Sequence, residues 1–175
     1  MAIDVTKTAL ENLYALVATA NGKPATPAHF TLAVPAVRVP DANARNTSVV
    51  ATAVDGGGYE GVQNFTYTRL NVDALGGSLE LQLQQGTTLA DVKAWAVEQL
   101  GVIASEVEFS ITELPAFVDE DNGDAPTTEE LVEIRAVAGS YAYIGTKAIT
   151  LLAPVPEDEQ LAAAYPTADL DGFVA

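Results

Sequence analysis

Residues 78–101 read SLELQLQQGTTLADVKAWAVEQLG, and the two periodicities from which a fold is built stand side by side in them. Leu79, Leu81 and Leu83 alternate with Glu80, Gln82 and Gln84. A period of two predicts a strand with one buried face. Four residues later the period changes. Thr88 is placed to cap a helix, Asp91 stands three positions on as in a capping box, and Gly101 follows the last turn. Leu89, Val92, Trp95, Ala96 and Leu100 form its apolar stripe, which makes the lone Trp95 a core anchor on that face.

Toward the C-terminus the strand signal returns. Glu106–Thr112 alternates with Val107, Phe109 and Ile111 inward, and a polar loop over 119–128 separates it from Glu130–Ala138. Gly139-Ser140 turns the chain into Tyr141–Ile144, and Gly145-Thr146 into Lys147–Leu152. These last three runs read as an antiparallel meander. Toward the N-terminus, Val62–Leu70 and Thr47–Val54 are strands joined through Asp55-Gly56-Gly57-Gly58. The chain opens on a helix: Asp4 is its expected cap with Ile3 as staple, Ala9, Leu10, Leu13, Val17 and Ala20 recur at helical spacing, and Asn21-Gly22 stops it.

Two segments resist either period. Residues 23–46 hold Pro24, Pro27, Pro35 and Pro40, which forbid a continuous helix or a central strand. Phe30, Leu32, Val34, Val37 and Val39 are interleaved through this arm, which is expected to wrap its own domain or lie across a neighbour. Residues 153–175 form an acidic tail with no Lys or Arg, yet with Leu161, Tyr165, Leu170 and Phe173 spaced through it. The expected architecture is therefore α+β: two helices and about seven strands in a mixed or mainly antiparallel sheet. One domain spans 1–152, carrying the arm, and the tail follows it.

Composition narrows the function. In 175 residues, 24 Asp and Glu stand against eight Lys and Arg, a formal charge of −16. Such a surface repels phosphate, so neither nucleic acid nor an anionic membrane is an expected partner. No run approaches the roughly 18 apolar residues of a membrane span, and the first eight residues lack the apolar core of a signal peptide. A soluble protein made in the cytoplasm is expected. Cysteine is absent, which removes disulfides, thiolate metal sites and cysteine nucleophiles together.

Catalytic signatures are missing. There is no G-x-S-x-G elbow, and Ser140 is a turn residue. The single histidine, His29, lies in the proline arm with nothing near it in sequence to orient the ring. The glycine run after Asp55 lacks a G-K-[ST] ending. Asp119, Asp121 and Asp124 are the weak candidates for a cation site, but the loop puts glycine at position 5 rather than 6 of a calcium loop. A solvated hairpin loop is the better reading there. No enzyme activity, cofactor or metal is expected. Between Lys93 and Arg135, by contrast, eleven acidic residues occur with no basic one, a field that steers basic partners.

The phrases MAIDVTKTALENLYALVATANG, NTSVVATAVDGGGYEGVQNFTYTRLN and AVAGSYAYIGTKAITLLAP, followed by an acidic tail ending TADLDGF, resemble small virion structural proteins of large tailed bacteriophages. The resemblance implies a non-enzymatic virion component, first of all a capsid decoration protein and otherwise a tail or baseplate subunit. It implies other virion proteins as partners, namely the major capsid protein or tail subunits, together with homo-oligomers. The residues expected to carry those contacts are Phe30, Leu32, Val34 and Val37 of the arm and Tyr165, Leu170 and Phe173 of the tail. A carbohydrate- or cation-binding module using loop 119–124 is the further alternative.

Overall fold

The computed structural model describes residues 2–117 and 129–154, and these form an α+β structure of two helices and ten strands. The first half pairs helix α1 (Ala9–Asn21) with strands β1 (Phe30–Leu32), β2 (Ala36–Val37), β3 (Thr47–Ala53) and β4 (Val62–Tyr67). The second pairs helix α2 (Leu89–Leu100) with β6 (Leu79–Gln82), β7 (Val107–Phe109), β8 (Glu129–Ala136) and β10 (Thr146–Leu152). Between them β5 (Leu70–Asn71) and β9 (Tyr143–Ile144) make a two-stranded parallel bridge.

In the first sheet β3 is central. It pairs antiparallel with β4 on one side and with β1 and β2 in succession on the other. Leu32 faces Ala51 while Ala36 faces Ser48, so the arm takes four steps where β3 takes three. The extra residue is absorbed around Val34-Pro35, where a proline lacking an N–H belongs. The arm is thus an edge strand of its own domain, broken once by a bulge. Leu13, Tyr14 and Val17 of α1 cover the inner face of this sheet, against Val49, Ala51, Phe65 and Tyr67.

The second sheet runs β6-β10-β8-β7. β10 pairs parallel with β6 and antiparallel with β8, so this sheet is mixed. Val92, Ala96 and Leu100 of α2 pack on its inner face with Val107, Val132, Ile134, Ile149 and Leu151. Trp95 is only half-buried and packs at the border of that core, whereas Val92 and Ala96 at its centre are fully buried.

Two expectations are corrected here. The opening helix is capped by Thr8, whose side chain accepts from Glu11 N while Glu11 answers at the Thr8 N–H. Asp4 instead caps the preceding turn, accepting from Thr6 N at 3.1 Å, and Asn12 clamps the Asp4 backbone at both N–H and C=O. A capping box satisfies two orphan donors where Asp4 would satisfy one, which is why the helix starts later. The meander is also interrupted. β8 and β10 pair, but Ser140 Oγ accepts from the N–H groups of Ala142 and Tyr143 and takes the intervening run out of the antiparallel ladder, where β5 becomes its partner.

Candidate interaction surface

Buried polar groups are linked around Arg69 and Ser140. Arg69, 6% exposed, donates through Nε to Thr47 Oγ1 at 2.8 Å and through Nη1 to the Ser140 carbonyl at 2.9 Å. Ser140 Oγ in turn donates to Glu106 Oε2 at 2.5 Å, and that carboxylate also accepts from Tyr141 N at 3.0 Å. Every member of this chain of bonds holds one segment to another, and Ser140 itself is 2% exposed. Burial raises the Tyr67 phenol well above its ordinary range and raises that of Tyr143; Tyr67 donates to the Tyr141 carbonyl and Tyr143 accepts from Ile103 N. The network ties the two halves of the fold together, and each of its hydroxyls is engaged in a hydrogen bond.

His29, contrary to expectation, does have neighbours that orient its ring: Nδ1 lies 2.8 Å from Thr26 Oγ1 and the ring is edge-on to Tyr59. Among the described residues, no group of three His, Cys, Asp or Glu side chains is gathered at metal-binding distance. Asp119, Asp121 and Asp124 lie outside the described residues, as do Tyr165, Leu170 and Phe173. No described helix is long and apolar enough to cross a membrane.

What the described surface offers is unpaired backbone and bare apolar side chains, concentrated on the first sheet. Of the arm residues expected to meet partners, the structure separates two kinds. Phe30 is withdrawn from that set: it is 9% exposed, stacks against Tyr14 and Phe65, and its carbonyl accepts from Tyr14 Oη at 2.7 Å. Leu32 is half-buried beneath α1. Val34 and Val37 point outward, 73% and 75% exposed, and Val39 joins them at 86%. The arm alternates sides as an extended chain must, so spacing alone did not tell which of its apolar residues the domain keeps for itself.

The opposite edge of the same sheet is β4. Its residues Val62, Gln63 and Asn64 are exposed, and it carries no charge. A groove of about 330 Å³ opens beside it, between β4 and the C-terminal half of α1, floored by Phe30, Ala51 and Phe65 and rimmed by Pro24 and Tyr59. Val50, 42% exposed, and Val62, 67% exposed, stand on the outer face with Ser48, Thr52, Asn64 and Thr66, so that face is uncharged as well. In a protein of charge −16 this is a departure from the general surface. The signal was present in VQNFTY, six residues without charge or proline, but only the sheet order reveals that its outer edge has no described neighbour.

The outer face of the second sheet is different. Glu80, Glu129, Glu133 and Glu108 stand there around an exposed Leu131, with Arg135 paired to Glu108 at 3.0 Å. The acidic stretch seen in the sequence is therefore partly gathered on one face. No curated protein and no solved structure matches the chain. A family of unknown function, DUF7941, matches residues 3–175, and the chain belongs to that family.

Proposed function

We propose that this chain is a non-enzymatic assembly protein, a structural component of a tailed-bacteriophage virion that sits on the capsid as a decoration protein. The observation that carries the assembly reading is the row of Val34, Val37 and Val39, bare on an arm that is itself pinned to β3. A rigid segment that keeps apolar side chains in water gains about 25 cal/mol for each Å² it buries against a partner, and loses little entropy in doing so. The phrase resemblance quoted above supports the virion, and the acidic outer face of the second sheet suits docking on basic patches of the major capsid protein. A tail or baseplate subunit would use the same surfaces and is the alternative. Many copies, each adding a modest interface, hold such a component in place.

Particle composition tests this reading. Mass spectrometry of purified virions, with a map of the particle at side-chain resolution, is expected to find the chain in many copies on the head. Its absence from particles would overturn the virion assignment; its presence only in the tail would favour the alternative. A cation- or carbohydrate-binding role for loop 119–124 is separately tested by calorimetry with calcium, where a saturable heat lost in Asp121→Ala would favour it.

A further inference from the structure

We infer that β4 is an interface through which two copies of this chain join edge to edge, antiparallel, about a twofold axis passing by Asn64. Hydrogen-bond parity fixes which groups of β4 face outward. Ala53 N donates to the Gly61 carbonyl at 3.0 Å, so residues 53 and 61 form a bonded pair of the antiparallel ladder. Bonded pairs then recur at every second residue, at 51 with 63, 49 with 65 and 47 with 67. The N–H and C=O groups of Val62, Asn64 and Thr66 therefore point away from β3, toward the open edge. The side chain of Gln63 reaches one of these six groups, the Asn64 carbonyl, at the 3.5 Å limit.

These three residues are centred on Asn64. A second β4 laid antiparallel with Asn64 against Asn64 sets Val62 against Thr66 and Thr66 against Val62. Every outward donor then meets an outward acceptor, six bonds in all. A register displaced by one residue would leave them facing inward-bonded positions, and one displaced by two would form only four of the six bonds within β4, so the strand is self-complementary over all three residues in one register.

The edges of the sheet also differ in how they are guarded. Exposed strand edges invite pairing, and proteins blunt them with proline, bulges, lysine or brevity. The arm edge has Pro27, Pro35, Pro40, Arg38 and the bulge. In the second sheet, edge strand β7 has three residues and carries Glu108, and edge strand β6 carries Glu80. β4 has six residues, VQNFTY, and none of these devices. Charge points to a second copy as the occupant. Two chains of charge −16 repel over most of their surfaces, but in this register uncharged residues oppose uncharged ones throughout β4, and Glu60 faces Thr68. The inference does not depend on the particle in which the protein acts.

Sedimentation velocity on the full chain over a concentration series is expected to show a species of twice 18.2 kDa. Asn64→Lys puts two ammonium groups together at the axis while sparing every bond to β3, and should give a monomer with unchanged circular dichroism and Tm. Because the chain has no cysteine, Asn64→Cys should be cross-linked to a covalent dimer by mild oxidation, the facing Cα atoms being about 5.5 Å apart. Val50→Cys, on the same face but away from the axis, should not be. If the wild type stays monomeric, or if Asn64→Lys remains dimeric while Asn64→Cys fails to cross-link, the assignment is overturned. It is overturned equally if only a chain shortened to Pro154 dimerises, because the edge is then occupied by residues 155–175. Should Asn64→Lys fail to fold, the cross-linking pair decides alone.

Discussion

Arg69 reaches across 71 residues of sequence to bind the carbonyl of Ser140, and this bond joins the end of the first sheet to the turn that begins β9. Asn46 fixes the same arginine from the backbone side, accepting from its N–H at 2.8 Å and donating to its carbonyl at 2.9 Å. Among the described residues no carboxylate pairs with the guanidinium directly; its partners there are a hydroxyl and a carbonyl. Removing it leaves two buried acceptors without donors, so Arg69→Ala is expected to cost about 2–4 kcal/mol. Thermal denaturation should show Tm lower by roughly 5–15 °C. Arg69→Lys should recover little, because one ammonium cannot reproduce two donors in a fixed fork.

Ser140 is the hinge of that network, since it donates to Glu106 and accepts from two backbone N–H groups. Ser140→Ala should cost about 1–3 kcal/mol, whereas Glu106→Gln, which keeps its acceptor oxygen, should cost less. Because Ser140→Ala and Glu106→Ala each remove the bond the two side chains share, their double variant is expected to fall short of the summed single effects by about 0.5–3 kcal/mol. Urea midpoints of the four proteins give that coupling. Additive costs would mean that the 2.5 Å contact contributes nothing.

Acid should loosen the helix starts first. Hydrogen bonds from Thr6, with Lys7 beside them, hold the Asp4 carboxyl down to about 2. Bonds from Thr8 lower Glu11, and bonds from Thr88 lower Asp91. A folded-state value below the unfolded one stabilises the protein above the unfolded value, and that contribution disappears as pH falls through the folded value. The window therefore runs from about 4.5 down to about 2. Measured from pH 6 to pH 2, the triple variant Asp4→Asn, Glu11→Gln, Asp91→Asn should lose less stability than the wild type. Since protonation also relieves repulsion at a charge of −16, the difference between the two curves is the readout.

Gly57 is the tightest point of the β3–β4 connection. A Cβ there would stand 2.6 Å from the Ala28 carbonyl oxygen and 2.9 Å from those of His29 and Val54, all backbone atoms with no room to yield. Gly57→Ala should therefore cost about 3 kcal/mol, at the upper end of overpacking. Gly56 and Gly58 have open space but left-handed backbone, with φ of +74° and +83°. Alanine at either should cost about 1–2 kcal/mol through strain alone. Equal losses at all three positions would show that the contact with the arm carries no weight.

How far the fold was legible depended on how local its causes are. The Thr88–Asp91 box and the Gly101 stop act over a few residues, and α2 was readable to its ends. β9 was not. Its four-residue run Tyr141–Ile144 satisfies a hairpin pattern, but Ser140 captures the next two N–H groups and β5, some 70 residues earlier, supplies the partner. The arm, open in the sequence between its own domain and a neighbour, is settled by the structure for a related reason. Its prolines forbid a central strand, as expected, yet an edge strand with one bulge tolerates them, and only the register with β3 distinguishes the two. The lack of charge and proline in β4 is legible in VQNFTY, but its place at an edge is not, because edge status belongs to the sheet order.

The arm gives the decisive separation between a segment that folds the protein and one that connects it. Phe30 fills the space between Tyr14, Val17 and Ala51, and Phe30→Ala should cost about 3–5 kcal/mol and be visible in any unfolding curve. Deleting residues 23–46 would do the same and more, so a truncation cannot test the connecting role. Val37→Asp and Val39→Asp can, because both side chains stand in water and each change should move stability by no more than about 0.5 kcal/mol. If these valines hold the chain to a particle, the double variant should fold like the wild type yet fail to co-sediment with particles from which the chain is otherwise absent. Undiminished co-sedimentation would shift the contact to another surface, with the acidic outer face around Leu131 next to be tested, by Leu131→Lys.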